Sequence, residues 1–316
     1  MKTVPTKPVS SPLHHLRRLF LNSTLVLSMG FVPFAIAAAS TDTAGAFYKT
    51  NLGNLEIIAL SDGTNQLPVT FFSDKSNSDS KETYATAVNA YLVKRGDQLI
   101  LIDFGSGDKS ADQSSPMAQG LEAAGFKPED VNIVLLTHFH GDHIGGLLKG
   151  DAIRFPNAKV YAPKEEAAHW LSLEKTQAAP EAARGSFALA QKVIAPYKSS
   201  GQYQEFEAGG TVVEGVKSVF APGHTPGHTA FLFESGAEQK FLMWGDIVHN
   251  LPLQFAEPSI TIRFDSDKDQ AIKTRLAMLE HTSAEPLVVA GTHIAFPGIG
   301  KVSKKAEGGF EWTPVE

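Results

Sequence analysis

The stretch Val131-Asn132-Ile133-Val134-Leu135-Leu136-Thr137-His138-Phe139-His140-Gly141-Asp142-His143 decides how this chain is read. Its first half is an apolar, β-branched run of the kind that forms a strand buried on both faces. Its second half sets four metal-capable side chains within six residues. His138 and His140 are two apart, so in extended backbone both imidazoles point the same way and can reach one ion. Gly141 lets the chain turn, and Asp142 and His143 can then face a second ion nearby. Imidazole with carboxylate suits zinc, and also iron, manganese or cobalt. The chain has no cysteine, which excludes thiolate ligands and disulfides.

Working outward, three weaker signals have the same placement. Gly223-His224-Thr225-Pro226-Gly227-His228-Thr229 is a tight loop that delivers His228 at the start of a strand. His224 is also a possible ligand on sequence grounds. Trp244-Gly245-Asp246 places an acid after an apolar strand, and Ala290-Gly291-Thr292-His293 places a histidine after another. Loops at strand ends gather along one edge of a sheet, so the four pieces can converge.

The remaining pattern is mixed α/β (α+β). Strands are expected at Leu55–Leu60, ending at the turn signal Ser61-Asp62-Gly63, and at Ala90–Val93 and Gln98–Asp103 as a hairpin. Others are expected at Lys159–Ala162, Thr211–Phe220, Thr229–Glu234, Lys240–Trp244 and Leu287–Ala290, the last read as the final strand. Met117–Ala124, Lys164–Leu173, Glu181–Ile194 and Asp267–Glu280 have helical character. Residues 73–82 read as a polar loop. Strands in both halves with helices between and after them suit two packed sheets with outer helices. Nothing divides residues 40–316, which read as one domain.

Residues 1–39 read as an export signal. Lys2, Lys7, Arg17 and Arg18 precede an apolar run that ends in Ala35-Ile36-Ala37-Ala38-Ala39, with cleavage expected near 38–41. A periplasmic or secreted protein without stable membrane association is the expectation. Cleavage would take four of the 28 basic residues and none of the 34 acidic ones, deepening the net charge from −6 to −10. Such acidity argues against nucleic acid as a partner.

The H-x-H-x-D-H motif at 138–143, the Gly-His-Thr-Pro-Gly-His at 223–228, Asp246 and His293 stand in an order that closely resembles the metallo-β-lactamase superfamily. The resemblance implies a four-layer αββα sandwich with two divalent ions at the sheet edges. His138, His140 and His228 would bind the first, and Asp142, His143 and His293 the second. Asp246 would bridge both, and His224 would stabilise its loop. The enzymes that named the superfamily lack a bridging aspartate there, so Asp246 turns the reading toward lactonases, arylesterases and organophosphate hydrolases. Several segments resemble methyl parathion hydrolases of that branch: Ala59–Thr64, Leu67–Val69, Lys164–Trp170, Gln254-Phe255, Glu257–Ser259, Asp265–Asp267 and Phe296–Gly300. They make Trp170 and Phe187 either pocket walls or core. His249 departs from that branch, and either reaches the pocket rim or faces solvent. Gly105–Ser115 also matches poorly where a pocket wall is expected.

The implied activity is hydrolysis of small neutral esters, lactones or organophosphate triesters. A hydroxide shared by two ions roughly 3.5–4 Å apart would be the nucleophile, and Asp142 or Asp246 would shuttle the proton. Asp103 either orients a ligand histidine or forms a turn. A homodimer is implied too. The alternatives are a β-lactamase or phosphodiesterase on the same fold, or a metal-binding module without turnover.

Overall fold

A computed structural model describes residues 44–75, 79–108, 113–236 and 239–315. The expected export signal at 1–39 lies outside them, as do parts of the 73–82 loop and of Gly105–Ser115. Among the described residues no helix is long and apolar enough to cross a membrane.

The first sheet is built from β1 (Phe47–Leu52), β2 (Leu55–Pro68), β3 (Thr83–Arg95), β4 (Gln98–Ile102) and β5 (Ile133–Leu135). A small hairpin of β6 (Leu148–Lys149) and β7 (Ala152–Ile153) follows, and β8 (Lys159–Pro163) and β9 (Tyr203–Phe206) complete the sheet. Its order is β1-β2-β3-β4-β5-β8-β9, antiparallel through β4 and parallel from there. The second sheet runs in chain order through β10 (Thr211–Val213), β11 (Val216–Phe220), β12 (Thr229–Ser235), β13 (Gln239–Met243), β14 (Leu287–Ala290), β15 (Ile299–Lys304) and β16 (Phe310–Pro314). Only β13 and β14 pair in parallel. The helices are α1 (Pro116–Ala123), α2 (Gly141–Ile144), α3 (Lys164–Trp170), α4 (Leu173–Ala178), α5 (Glu181–Ser199), α6 (Leu251–Ala256) and α7 (Lys268–Ala284).

Period-two alternation builds the layers. Ile57, Ala59, Tyr91, Val93, Ile100 and Ile102 of the first sheet pack against Phe231, Phe233, Phe241, Met243 and Val288 of the second. The intervening residues Ile58, Leu60, Leu92, Leu101 and Val134 face outward onto Met117 and Leu121 of α1 and Phe187, Val193 and Tyr197 of α5. Leu242 and Val289 face outward onto Met278 and Leu279 of α7. The central strands are therefore covered on both sides, which is why they read as near-continuous apolar runs. The outcome is the αββα sandwich.

Four local expectations change. Ser61-Asp62-Gly63 is not a turn: β2 continues to Pro68, and Asp62 is the extra residue of a bulge. The bulge leaves its carboxylate free to accept the backbone N–H of Ser106 at 2.9 Å and of Met117 at 3.4 Å. The helix expected at Lys164–Leu173 ends at Trp170, because Ser172 caps the next helix, α4, through the Lys175 N–H. Thr211–Phe220 is a hairpin turning at Glu214-Gly215, where Gly215 has φ +72°. Leu287–Ala290 is followed by two further strands, β15 and β16, so it is not the last.

Candidate metal centre

Parallel strands deliver the site. β4 and β5 are parallel neighbours, so Asp103 and the segment 136–143 leave the first sheet at the same edge. β13 and β14 are parallel neighbours, so Asp246 and His293 leave the second sheet together. Phe139 is buried in the core between sheet and helices while His138 and His140 point the other way. Gly245 has φ +61°, and a Cβ there would fall 2.6 Å from Nε2 of His228. Only glycine lets Asp246 approach that ring.

Asp246 is the hub. Its Oδ2 lies 3.0 Å from Nε2 of His293, 3.2 Å from His224, 3.3 Å from His249 and 3.6 Å from His138. Its Oδ1 lies 3.1 Å from Nε2 of His143. Three groups have ligand atoms mutually within 4.8 Å: His138, His140, His224 and Asp246; Asp142, His143 and His293; and Asp246, His249 and His293. Six of the seven expected ligands fall in these groups. The seventh, His228, stands beside them, its ring 5.1 Å from that of His138. Its Nδ1 lies 3.1 Å from the Ala221 carbonyl, and its Nε2 accepts the Asp246 N–H. His224 takes the place in the cluster that the resemblance assigns to His228. It is held there by Asp265, 2.9 Å from its Nδ1.

The buried Nε2 of His138 makes no hydrogen bond, and Nε2 of His143 and Oδ1 of Asp246 have only each other, 3.1 Å apart. Buried polar atoms so poorly partnered are costly, and three of them close together fit a cation. The protonation states fit as well. Burial, with His143 beside it, holds His138 well below the usual imidazole range. Burial holds His140 and His228 at about 3. Burial opposes ionisation of Asp246, but His143, His293 and His138 outweigh it and keep the carboxyl well below the usual carboxylate range. Neutral imidazoles and ionised carboxylates are the forms that bind metal. His143 and His293 are pushed up by the acids around them against the effect of burial, so an ion bound there displaces protons.

Asp103 orients a histidine. Its Oδ1 accepts the Thr137 N–H at 2.9 Å, its Oδ2 accepts the Thr137 hydroxyl at 2.7 Å, and Oδ2 lies 2.8 Å from Nδ1 of His143. It is the one described non-glycine residue with positive φ, at +57°, a conformation Asp tolerates better than most. Such supports of metal ligands typically account for about 10–100-fold in metal affinity. Asp103→Asn is expected to weaken ion binding by about that factor, measured by competition with a chelating dye. Unchanged affinity would assign Asp103 to the turn alone.

A cavity of about 330 Å³ opens onto the cluster, lined by Asn65, Leu67, Thr86, Ser186 and Phe264 together with His140, Asp142, His224, Asp246, His249 and His293. His249 therefore lines the pocket and does not face solvent; it is buried and stacks on His293 at 4.9 Å. Trp170 and Phe187 do not line this cavity. They pack against each other in the core with tilted rings 4.7 Å apart, with Trp170 edge-on behind His140 at 5.5 Å. The indole N–H donates to buried Glu166, which holds the ring inward. Glu166 and Asp265 are supports that the motifs did not reveal. A single acid on the buried stripe Glu166, Ala167 and Trp170 of α3 was the available signal.

The profile described as "Metallo-beta-lactamase superfamily" matches residues 83–285. The hydrolase AbOPH, described as in the beta lactamase superfamily, superposes with a TM-score of 0.78 at 31% identity, covering 86% of this chain and 98% of its own. AidC, described as a dizinc quorum-quenching lactonase in complex with its product, superposes with a TM-score of 0.75 at 28% identity, covering 86% of this chain and 98% of its own. Among curated proteins, the lactamase-like protein adaB of Aspergillus niger is 33% identical over 160 residues. That match covers 51% of this chain and spans only 38% of the fungal protein.

Proposed function

Because the chain belongs to the metallo-beta-lactamase superfamily, we propose that it is a dinuclear metal-dependent hydrolase of small neutral lactones and esters, with organophosphate triesters as a further substrate class. The observation that carries the reading is the shell of imidazoles around Asp246, next to a cavity with no lysine or arginine among its lining residues. His138, His140 and Asp246 would hold one divalent ion, with His224 or His228 completing its set. Asp142, His143, His293 and Asp246 would hold the other. Zinc suits this nitrogen and oxygen donor set, as do iron, manganese and cobalt. When bound, such ions supply Lewis acidity and a water acidified toward neutrality.

The chain's own groups do the rest. Asp142 is partly exposed to the cavity, its side chain 33% accessible. His143 and His293 hold its carboxyl below the ordinary range against the effect of burial. It is therefore ionised at neutral pH and placed to take a proton from the attacking water and return it to the leaving group. Asp246 is buried and surrounded by imidazoles, so its task is to hold the rings in register. Leu67 and Phe264 offer apolar walls, while Asn65, Thr86 and Ser186 supply a few polar groups to orient a substrate. A substrate anion would meet two carboxylates and no lysine or arginine in the cavity wall, which favours neutral substrates.

The test is a hydrolysis panel of a lactone, an aryl ester, a phosphotriester and a β-lactam, run on metal-reconstituted protein. Turnover of the lactone or aryl ester is expected. Hydrolysis of the β-lactam alone would reverse the choice of branch, and an inert protein holding stoichiometric metal would support the binding-module alternative.

A further inference from the structure

Two of the loops that supply candidate ligands come from different sheets. Residues 138–140 follow β5 of the first sheet, and His228 precedes β12 of the second. Neither sheet's own hydrogen-bond ladder sets the distance between them. At the strand ends the loops are tied by the Thr229 N–H, which donates to the Thr137 carbonyl at 3.0 Å. Nearer their tips they meet on one side chain. Glu166, fully buried in α3, accepts the Phe139 N–H at 3.0 Å and the Trp170 indole N–H on Oε1. Its Oε2 accepts the Gly227 N–H at 2.8 Å. Phe139 lies between His138 and His140, and Gly227 directly precedes His228. The approach of α3 is so close that a Cβ on Gly227 would fall 2.2 Å from the Glu166 nitrogen.

Glu166 forms no ion pair among the described residues. A buried carboxylate without a cation is expensive, and a glutamine of the same shape would fill the space without that cost. What glutamine lacks is acceptors on both ends. If its oxygen serves Phe139 and Trp170, its NH₂ faces the Gly227 N–H, donor against donor. We propose that Glu166 is a positioning residue that sets the spacing between the two histidine loops and so the geometry of the metal site. The proposal rests on the metal-hydrolase reading above.

The experiment compares Co²⁺ binding by wild type and Glu166→Gln, using chelator competition for affinity and visible absorption for ligand geometry. The variant is expected to bind about 10–100-fold more weakly, the usual effect of losing a group that supports metal ligands, and with a shifted d–d band. A core-filling role alone moves neither readout. A folded Glu166→Gln protein with wild-type affinity and spectrum overturns the proposal. Should that variant fail to fold, Glu166→Asp decides by the same criterion, since its shortened carboxylate cannot reach both loops. Wild-type protein that binds no Co²⁺ defeats the metal reading itself and this proposal with it. Normal wild-type binding alongside an unaltered variant defeats this proposal alone.

Discussion

Asp246→Ala is expected to abolish the second equivalent of bound metal and to lower kcat/KM for a lactone or ester substrate by roughly 10²–10³-fold or more. The size follows from the hub geometry. One carboxylate faces His138, His143, His224, His249 and His293 at 3.0–3.6 Å. Removing one partner from a buried charge network costs about 3–5 kcal/mol, because the groups left behind lose their compensation. At 1.4 kcal/mol per factor of ten, that is roughly two to nearly four powers of ten. The loss should appear first as affinity for the ions, so elemental analysis and turnover are measured on the same preparation. The core around Asp246 is built from residues the substitution leaves in place, notably Met243, Trp244 and Val248, so the variant is expected to fold. A folded Asp246→Ala protein with near wild-type turnover would show that the carboxylate is not shared by the catalytic ions.

Much of this centre was readable from the chain because its chemistry is local. His138 and His140 alternate with Phe139, and the alternation survives folding: the rings face the cluster and Phe139 enters the core. Asp246 and His293 were readable as strand-end residues, and two parallel strands carry them to the same edge. What was hidden depends on long-range partners. His224 and His228 occupy one loop, and nothing within it says which ring faces the ions. Asp265, forty-one residues on, turns His224 toward Asp246. Trp170 and Phe187 have the composition of a pocket wall, but Glu166 draws the indole inward. The fold shows the same division. Strands buried on both faces announce themselves by apolar runs, whereas β15 presents Lys301, Ser303 and Lys304 to solvent and follows a Pro-Gly turn signal. The Ser61-Asp62-Gly63 bulge reads as a turn because bulges and turns use the same residues.

Stripping the ions should cost both activity and stability, and the two losses test different parts of the reading. Chelation followed by desalting is expected to bring turnover to background, with recovery on adding back zinc, manganese or cobalt. No serine nucleophile has to be invoked, and the chain's own acids cannot activate water as an ion does. The stability loss follows from linkage. An ion that binds the folded chain and not the unfolded one stabilises it by about 4 kcal/mol when its free concentration is a thousand times Kd. For a domain of this size, 1 kcal/mol shifts the thermal midpoint by about 2–4 °C, so a drop of about 10 °C on chelation is expected. The direction is set by the site. Without an ion, Nε2 of His138 is buried without a hydrogen bond and Nε2 of His143 and Oδ1 of Asp246 have only each other, a cost that binding removes. Turnover that persists in protein shown by elemental analysis to be metal-free would end the metal-hydrolase reading. A midpoint unmoved by chelation, with activity lost, would keep the catalytic role and deny the ions any part in holding the two sheets' loops together.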